Sequence, residues 1–359
     1  MKLLWLDLNS SYAHSSLALP ALHAQIADDT TVEWCMVSAT INENTGNIVK
    51  QIYQHQPDII AATNWLFNHE QLLHIVSRSK ALLPQCCIIL GGPEFLGDNK
   101  DFLFKNKFVN GVFRGEGEEV FPIWLKVWNH PVNEWNQISG LCYLDESDQY
   151  QDNGIARVMN FSQLVSPEKS RFFNWSKPFV QLETTRGCFN TCAFCVSGGE
   201  KPVRTISLEA IRERLNVIHQ HGIKNVRVLD RTFNYNNKRA KELLHLFREY
   251  APDICFHLEI HPALLSEELK EELAILPNGL LHLEAGIQSL REPVLEKSRR
   301  IGKLSDALQG LKYLCSLKNM ETHADLIAGL PLYHLSEIFE DVRTPVSYTH
   351  LTLPTNSRV

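Results

Sequence analysis

The chain has 359 residues, of which 44% are hydrophobic and 21% charged, a composition that predicts two or three globular domains with sizeable cores. Its net charge of −6 gives no overall attraction to nucleic acids or anionic membranes. No apolar run approaches the ~18 residues of a membrane-spanning helix, and Asp7 follows Met1 too closely for a secretion signal. Nine cysteines, an odd number, suit a reducing compartment, so we predict a cytoplasmic location.

Residues 1–122 alternate short apolar runs with stretches of helical periodicity, which predicts a doubly wound, Rossmann-like parallel sheet. The predicted strands are Lys2–Leu8, Val32–Val37, Ile59–Thr63, Cys86–Leu90 and Val109–Arg114. The predicted helices are Ser16–Ile26, Gly46–Gln54, Glu70–Leu83 and Asn99–Lys105.

Sheets of this kind bind ligands beyond the carboxyl ends of their strands. The candidate binding residues at these ends are Asn9, Ser10, His14, Thr63, Gly91 and Gly92. The pair Gly91 and Gly92 would let the backbone approach a bulky ligand, although glycine after a strand is also common in ordinary turns.

Residues 123–177 contain many turn-forming residues between short apolar runs, such as Gly140–Leu144 and Ile155–Met159. This pattern predicts a linker with a small hairpin.

Three cysteines follow the predicted strand Phe179–Glu183 with the spacing C-x3-C-x2-C: Cys188, Cys192 and Cys195. A [4Fe–4S] cluster normally takes four thiolates, so three cysteines would leave one iron open. A zinc site or a disulfide framework fits this spacing less well. Zinc sites usually show paired C-x2-C half-sites or a histidine partner, and disulfides need an oxidising compartment. The spacing therefore favours an iron–sulfur cluster.

Strand and helix alternate again after the cysteines. Ser207 is placed to cap a helix with the apolar stripe Ile211, Leu215 and Ile218. The elements predicted after it are strand Asn225–Leu229, helix Lys238–Phe247, strand Ile254–Ile260, helix Ser266–Ile275, strand Leu280–Ala285, helix Leu304–Leu317 and strand Thr322–Ala328. In repeated βα units of this kind, function lies in the loops at strand carboxyl ends.

The cysteine segment, with the aromatic residue Phe194 before its third cysteine, resembles the radical S-adenosylmethionine (radical SAM) superfamily. The resemblance implies a partial (β/α)6 barrel over residues 178–343 and SAM bound to the open iron. It further implies that one electron from the cluster cleaves SAM to methionine and a 5′-deoxyadenosyl radical. Reduced flavodoxin or ferredoxin is the electron donor that such a resemblance suggests.

The same resemblance supplies candidate SAM contacts in the loops of the barrel. Asp230 follows the second strand, where family members hold the methionine amino group. Gln288 and Ser289, with Arg300 downstream, resemble the E-x-G-x-Q-S…R segment that meets the ribose and carboxylate, and an arginine fork suits a carboxylate. The remaining candidates are Phe194 and, in the segment that resembles the one packing the adenine, Ile327 and Gly329.

With a cluster domain after it, the N-terminal sheet resembles the cobalamin-binding domain of the cobalamin-dependent radical SAM class. One departure from that class is visible, because the D-x-H-x-x-G motif that supplies an axial histidine to cobalt is absent. His14 lies in the right connection without that spacing. We therefore expect cobalamin, if bound, to lack a protein histidine on cobalt.

The last residues do not continue the barrel. A helix beginning at Leu335 gives way at Thr344 to a segment with two prolines and many hydroxyl residues. Residues 344–359 resemble translated adapter sequence, which predicts a chain truncated before the last barrel strand; a genuine disordered tail is the alternative.

These observations predict a radical SAM enzyme that cleaves SAM at a [4Fe–4S] cluster and acts on a substrate that the sequence does not identify. The cobalamin resemblance points to methyl transfer. In one alternative the N-terminal domain is a structural or docking module and the barrel is a cobalamin-independent radical SAM oxidoreductase. In another the chain is a ferredoxin-like electron carrier, which needs neither an open iron nor SAM-binding loops.

Overall fold

A computed structural model describes residues 1–14, 16–198 and 200–346 of the chain. Two compact units meet in sequence between Lys177 and Pro178. Among the described residues, none of the helices is long and apolar enough to cross a bilayer.

The first unit is one seven-stranded sheet with helices on both faces. Its strands are Lys2–Asn9 (β1), Glu33–Thr40 (β2), Ile59–Thr63 (β3), Cys87–Gly91 (β4), Gly111–Phe113 (β5), Leu141–Leu144 (β6) and Tyr150–Asp152 (β7). Its helices are Ala18–Ala24 (α1), Thr45–His55 (α2), His69–Leu82 (α3), Lys100–Lys105 (α4) and Val120–Trp124 (α5). The strand order is β2-β1-β3-β4-β5-β6-β7, and the first five strands are parallel. From β1 the chain adds β2 on one side of the sheet and then β3, β4 and β5 on the other, so the strand order switches between β1 and β3. Doubly wound folds bind their ligands at such a switch point.

The alternation of side chains along β1 explains why both faces are covered. Leu4 and Leu6 pack into a core that includes residues of α2 and α3, whereas Leu3 and Trp5 pack into a second core with residues of α1 and α5. A strand buried on both faces reads as a continuous apolar run, which is why the sequence predicted these strands.

The segment expected to be a linker with a hairpin contributes two strands to this sheet. The hairpin β6–β7 is present, and β6 pairs antiparallel with β5, placing Cys142 opposite Val112. Both of these side chains are fully buried. The hairpin thus covers an edge of the sheet whose backbone groups would otherwise be unpaired.

The second unit is built around a five-stranded parallel sheet of order β14-β13-β12-β11-β8 and a short two-stranded sheet. Its strands are Val180–Leu182 (β8), Thr185–Arg186 (β9), Arg204–Thr205 (β10), Asn225–Val228 (β11), Cys255–Ile260 (β12), Leu281–Gln288 (β13) and Glu321–Leu326 (β14). Its helices are Leu208–Gln220 (α6), Asn237–Arg248 (α7), Glu267–Ala274 (α8), Glu292–Lys297 (α9), Leu304–Ser316 (α10) and Leu335–Val346 (α11).

The local signals in this unit act as predicted, with two exceptions. Ser207 caps α6 by accepting a hydrogen bond from the N–H of Ala210 at 3.2 Å. Helix α9 was not predicted. Helix α11 continues to Val346, beyond Thr344, where the sequence predicted that the helix gives way. The rest of the predicted tail, 347–359, lies outside the described residues.

Candidate active site

The three cysteines lie in a loop whose ends are joined by a short ladder. β9 and β10 pair antiparallel, so Arg186 faces Arg204 where the loop begins and ends. The N–H of Cys188 donates to the carbonyl of Glu200 at 2.9 Å, which closes the loop further. Cys188 and Cys192 are buried and Cys195 is half-buried. Burial raises the pKa of the Cys188 thiol, and the neighbouring charges of Cys195 and Cys192 act in the same direction.

The interior of this loop fits an iron–sulfur cluster. A Cβ atom at Gly198 would lie 2.6 Å from the carbonyl oxygen of Cys192, so the turn after the third cysteine has no room for a side chain. The side chain of Asn190 is buried, and neither its amide nitrogen nor its oxygen has a hydrogen-bond partner among the residues that the structure describes. Buried amides are normally paired, and cluster sulfurs accept hydrogen bonds. Three thiols beside an unpaired amide therefore form a suitable donor set, and Cys188, Cys192 and Cys195 would hold the cluster.

Asp230, which follows β11, bonds to the backbone segment that leads into the cysteine loop. Its carboxylate accepts the backbone N–H groups of Thr184 and Thr185, both at 2.9 Å, and the hydroxyl of Thr184. Burial raises the pKa of this carboxyl against these hydrogen bonds. The geometry gives Asp230 a positioning role. Its predicted contact with SAM stays a prediction.

Arg300 links the carboxyl end of β13 to the cysteine loop. One guanidinium nitrogen donates to the carbonyl of Gly286 at 2.7 Å, and another lies 3.9 Å from the Sγ of Cys192. A guanidinium carries five N–H groups, so donors remain for a ligand carboxylate. Gln288 lies beside it at a bulge, with φ of +71°, and its carbonyl accepts the N–H of Ile327 at 2.9 Å. The structure therefore places Arg300 beside Cys192 and joins two other predicted SAM residues, Gln288 and Ile327, to each other.

The other predicted SAM residues are placed differently. Ser289 is fully buried, and its hydroxyl accepts the N–H of Arg291 at 3.1 Å and lies 3.5 Å from Asp341 of α11. These bonds give Ser289 a structural role, and the structure lends no support to a contact with SAM. Gly329 is exposed with φ of +86° and open space where a Cβ would be, and Phe194 is exposed beside Cys195.

His261 follows the last residue of β12 and lies near Arg300 and Ile301. It is buried, and its Nε2 donates to the carbonyl of Ile301 at 3.0 Å, while its Nδ1 has no hydrogen-bond partner within the described ranges of the chain. Burial, followed by the charge of Arg300, lowers the pKa of His261 to about 4, so this ring is neutral at physiological pH.

Sequence reasoning missed a group of polar side chains on β12, β13 and β14. His257, Glu284 and His323 face one another, and the two histidines hold the pKa of the Glu284 carboxyl well below its usual range. Burial, with the charge of Glu284, raises the pKa of Glu259 to about 7 and that of Asp325 to about 8. The signal was available in the strand sequences, where histidine and acidic residues alternate with apolar ones.

In the first unit, the candidate residues after β1 bond to one another. The amide of Asn9 donates to the carboxylate of Asp7 at 2.7 Å. His14 Nδ1 lies 2.8 Å from the hydroxyl of Ser11 and 3.5 Å from that of Ser10. These local bonds account for one ring nitrogen of His14, and the expectation that it is not a cobalt ligand stays a prediction.

Gly92 has a structural reason to be glycine, and its predicted contact with cobalamin stays a prediction. The N–H of Asn64 donates to the carbonyl of Gly91 at 2.7 Å, which draws the turn after β3 against the turn after β4. A Cβ at Gly92 would lie only 2.5 Å from the carbonyl oxygen of Asn64, and Gly92 has φ of +113°. Gly92 is therefore required for the close approach of two backbone segments. Thr63 belongs to the same junction, where its carbonyl accepts the amide of Asn68 at 3.1 Å.

Large apolar side chains are exposed in the loops that follow β1 and β3. Leu66 is 77% exposed, Phe67 44% and Tyr12 74%. These loops flank the point where ligands of doubly wound sheets bind. Exposed apolar side chains on such an edge suit a large, flat, mainly apolar cofactor such as a corrin ring. The first unit therefore fits cobalamin, with Asn9, Ser10, Thr63 and Gly91 near its predicted position.

Two family models match the chain, one in each unit. The model of the radical SAM superfamily matches residues 182–344, which include the cysteine loop, and the model of the B12 binding domain matches residues 7–125. The chain contains a radical SAM domain and a B12-binding domain. Its relatives include an uncharacterized methyltransferase of Pyrococcus horikoshii, 24% identical, with 84% of this chain and 66% of that protein covered. The cytidylyl-2-hydroxyethylphosphonate methyltransferase of Streptomyces wedmorensis is 22% identical, with 79% and 60% covered.

Among solved structures, the chain resembles the cobalamin-dependent radical SAM enzyme OxsB with aqua-cobalamin and SAM bound. The TM-score is 0.74 at 18% identity, covering 95% of this chain and 51% of OxsB. The chain thus spans about half of OxsB and 60–66% of the two curated relatives. The family models confirm the predicted fold class and the cofactors of each domain: a [4Fe–4S] cluster and SAM, and cobalamin. The assignments to single residues stay predictions.

Proposed function

We propose that the chain is a cobalamin-dependent radical SAM methyltransferase whose substrate is not yet identified. The observation that carries the proposal is the presence of both domain models on one chain, with three thiols and Arg300 gathered in the radical SAM domain. The methyltransferases to which the chain is similar match it over 79–84% of its length. A B12-binding domain favours cofactor binding over the docking-module alternative.

The chain's own residues would then act as follows. Cys188, Cys192 and Cys195 hold the cluster, and the free donors of Arg300 bind the carboxylate of SAM. Asp230 fixes the backbone of Thr184 and Thr185, and so fixes the start of the cysteine loop. When bound, the cluster supplies an electron for the cleavage of SAM and cobalamin supplies a methyl carrier. The buried setting of the cysteines limits access of water to the place where radical chemistry begins.

Radical SAM enzymes need an external electron, and reduced flavodoxin or ferredoxin is the donor we propose for this chain. We also propose a cytoplasmic location, because the cysteines must stay reduced to bind iron.

The test is the fate of SAM with the anaerobically reconstituted, reduced protein, with and without hydroxocobalamin. Use of SAM as a methyl donor leaves S-adenosylhomocysteine, whereas reductive cleavage leaves 5′-deoxyadenosine. We expect both products with cobalamin, and S-adenosylhomocysteine only when cobalamin is present. Cleavage to 5′-deoxyadenosine alone, together with no uptake of cobalamin, would establish the docking-module alternative. An intact, reduced cluster that cleaves no SAM would favour an electron carrier.

A further inference from the structure

Three adjacent parallel strands of the second unit present polar side chains on one face of their sheet. His257 of β12, Glu284 of β13 and His323 of β14 are each flanked along the strand by more deeply buried apolar residues, such as Leu258, Leu283 and Ala324. Glu284 is the direct cross-strand neighbour of His323. The strand register therefore fixes the three side chains as one cluster.

The distances within this cluster fit a shared metal ion. Nε2 of His257 lies 2.8 Å from Oε2 of Glu284, and Nε2 of His323 lies 3.7 Å from the same oxygen. All three ligand atoms lie within 4.8 Å of one another. Bonds of about 2.0–2.2 Å at near-tetrahedral or octahedral angles place neighbouring ligand atoms roughly 3–3.5 Å apart. Small side-chain adjustments would bring the three atoms to that spacing.

A fourth side chain supports His323 as an outer-sphere partner would. Nε2 of His282 lies 2.8 Å from Nδ1 of His323, the ring nitrogen that does not face Glu284. Metal-binding histidines almost always use their second ring nitrogen in such a hydrogen bond, which fixes the tautomer and the ring orientation. The competing cation is Arg227, whose guanidinium lies 3.9 Å from Glu284, beyond hydrogen-bond distance.

We propose that His257, Glu284 and His323 bind one divalent transition-metal ion, separate from the iron–sulfur cluster. Two imidazoles and one carboxylate suit Zn²⁺, Fe²⁺ or Co²⁺, and three ligands leave positions open for water or a substrate oxygen. The side chains of the three residues are 17–26% exposed, so an ion can reach them from solvent. No cysteine belongs to this set. The proposal does not depend on the proposed methyltransferase activity.

The test uses the full chain with its cluster reconstituted, so that Cys188, Cys192 and Cys195 are already occupied. After equilibrium dialysis against Zn²⁺, we expect one zinc per chain by elemental analysis. Zinc-edge X-ray absorption should show nitrogen and oxygen at about 2.0–2.1 Å with imidazole scattering, and no sulfur at about 2.3 Å. Wild-type protein that retains no zinc, or zinc with a sulfur shell, would overturn the proposal.

Variants then locate the ion. Glu284→Gln and His323→Gln should each weaken zinc binding by more than about 100-fold, and His282→Gln by about 10–100-fold, as for an outer-sphere partner. The matched control is His219→Gln, which should leave affinity unchanged, because His219 is half exposed and contacts Asp253, at 3.0 Å, and the ring of Tyr250 instead of the cluster. Circular dichroism melts identify any variant that fails to fold. Unchanged affinity in folded Glu284→Gln and His323→Gln proteins would place the ion elsewhere and refute the site.

Discussion

The two parallel sheets end their strands in different ways. In the second unit, buried polar side chains bond to backbone groups: Asp230 to Thr184 and Thr185, and the amide of Asn234 to both backbone groups of His261. In the first unit, the buried amide of Asn68 also bonds to backbone, at the carbonyls of Leu8 and Thr63. There, however, the N–H of Asn64 bonds directly to the carbonyl of Gly91, and large apolar side chains are exposed beside this junction.

This difference suits the cofactors that the two domain models imply. A cluster with SAM is bound through coordination and charge, which need donor atoms fixed to within a fraction of an ångström, so the framework around them is polar and locked. Cobalamin presents a wide ring, and a sheet edge can accept it through shape and apolar area without a dedicated ligand atom. The first kind of site leaves a pattern of chemically specific residues in the sequence, and the second kind does not.

The largest effect should come from removing a thiol. Cys192→Ala should abolish the brown chromophore, the bound iron and SAM cleavage. The loop offers the cluster only three thiolates, one fewer than usual, so the loss of one leaves too few to hold it. Iron and sulfide analysis after anaerobic reconstitution measures this. Cys315→Ala is the matched control and should keep normal iron, since burial raises the pKa of Cys315 to about 11 and keeps its thiol protonated. Normal iron content in Cys192→Ala would remove the basis of the site.

The second largest effect is expected on the stability of the first unit, at the carboxyl edge of its sheet. Gly92→Ala forces a Cβ to within 2.5 Å of the Asn64 carbonyl oxygen at a positive φ, and should lower the unfolding free energy of the first unit by about 3 kcal/mol or more. Gly91→Ala is the control, because its nearest neighbour would be the Cβ of Phe113 at 3.8 Å. Urea unfolding compares the two. Equal stabilities would show that Gly92 is available for a ligand after all.

These two positions show how far the sequence could be read. The spacing of the cysteines is enough to predict an iron–sulfur cluster. The strand Ile59–Thr63 was predicted with its exact bounds, because burial on both faces makes it a continuous apolar run. Gly92 suggested close approach, but the sequence could not say that the approaching group is the backbone of Asn64. Helix α9 was not predicted because it is short and buries only two side chains, Val294 and Leu295, which is too few to show a helical period.

The roles of polar side chains were harder to predict than their positions. Asp230 and Ser289 lie at the strand ends where the resemblance placed them, yet their hydrogen bonds go to Thr184 and to Arg291 and Asp341. Such pairings depend on which loops meet in three dimensions, and nothing local in the sequence records them. The alternation of His257, Glu284 and His323 with apolar residues is visible in the sequence, but only the pairing of three strands shows that these side chains meet.

The neutral histidine of the second unit gives a pH-dependent prediction. The pKa of His261 is about 4 in the folded chain and 6.5 in the unfolded chain, so only the unfolded chain takes up a proton between these values. Stability that is present above pH 6.5 is therefore lost as pH falls toward 4, by at most about 3 kcal/mol. His261→Gln should flatten this part of the profile. Denaturant unfolding at several pH values compares the slopes, and parallel profiles for the two proteins would contradict the prediction.

A smaller effect is expected for SAM affinity. Arg300→Ala should weaken SAM binding by about 1.5–3 kcal/mol, the usual range for a hydrogen bond to a charged group. Arg300→Lys is the matched control that keeps the charge and loses the fork, and it should recover only part of the affinity. Equilibrium titration of the cluster-containing proteins gives both values. Because Arg300 also lies 3.9 Å from Cys192, iron content must be normal in each variant before affinities are compared.

The last prediction, on cobalamin binding by the first unit, is that removal of His14 has no effect. Imidazole bound to cobalt(II) gives nitrogen superhyperfine splitting in the electron paramagnetic resonance spectrum, and a water or vacant lower face does not. His14 lacks the D-x-H-x-x-G context, and its Nδ1 lies 2.8 Å from the hydroxyl of Ser11. We therefore expect bound cobalamin to show no such splitting, and His14→Ala to leave both the spectrum and the affinity unchanged. A splitting that vanishes in His14→Ala would make His14 an axial ligand at unusual spacing. The edge of the first sheet would then hold its cofactor through a fixed donor atom, as the second unit does, and the contrast between the two units would fail.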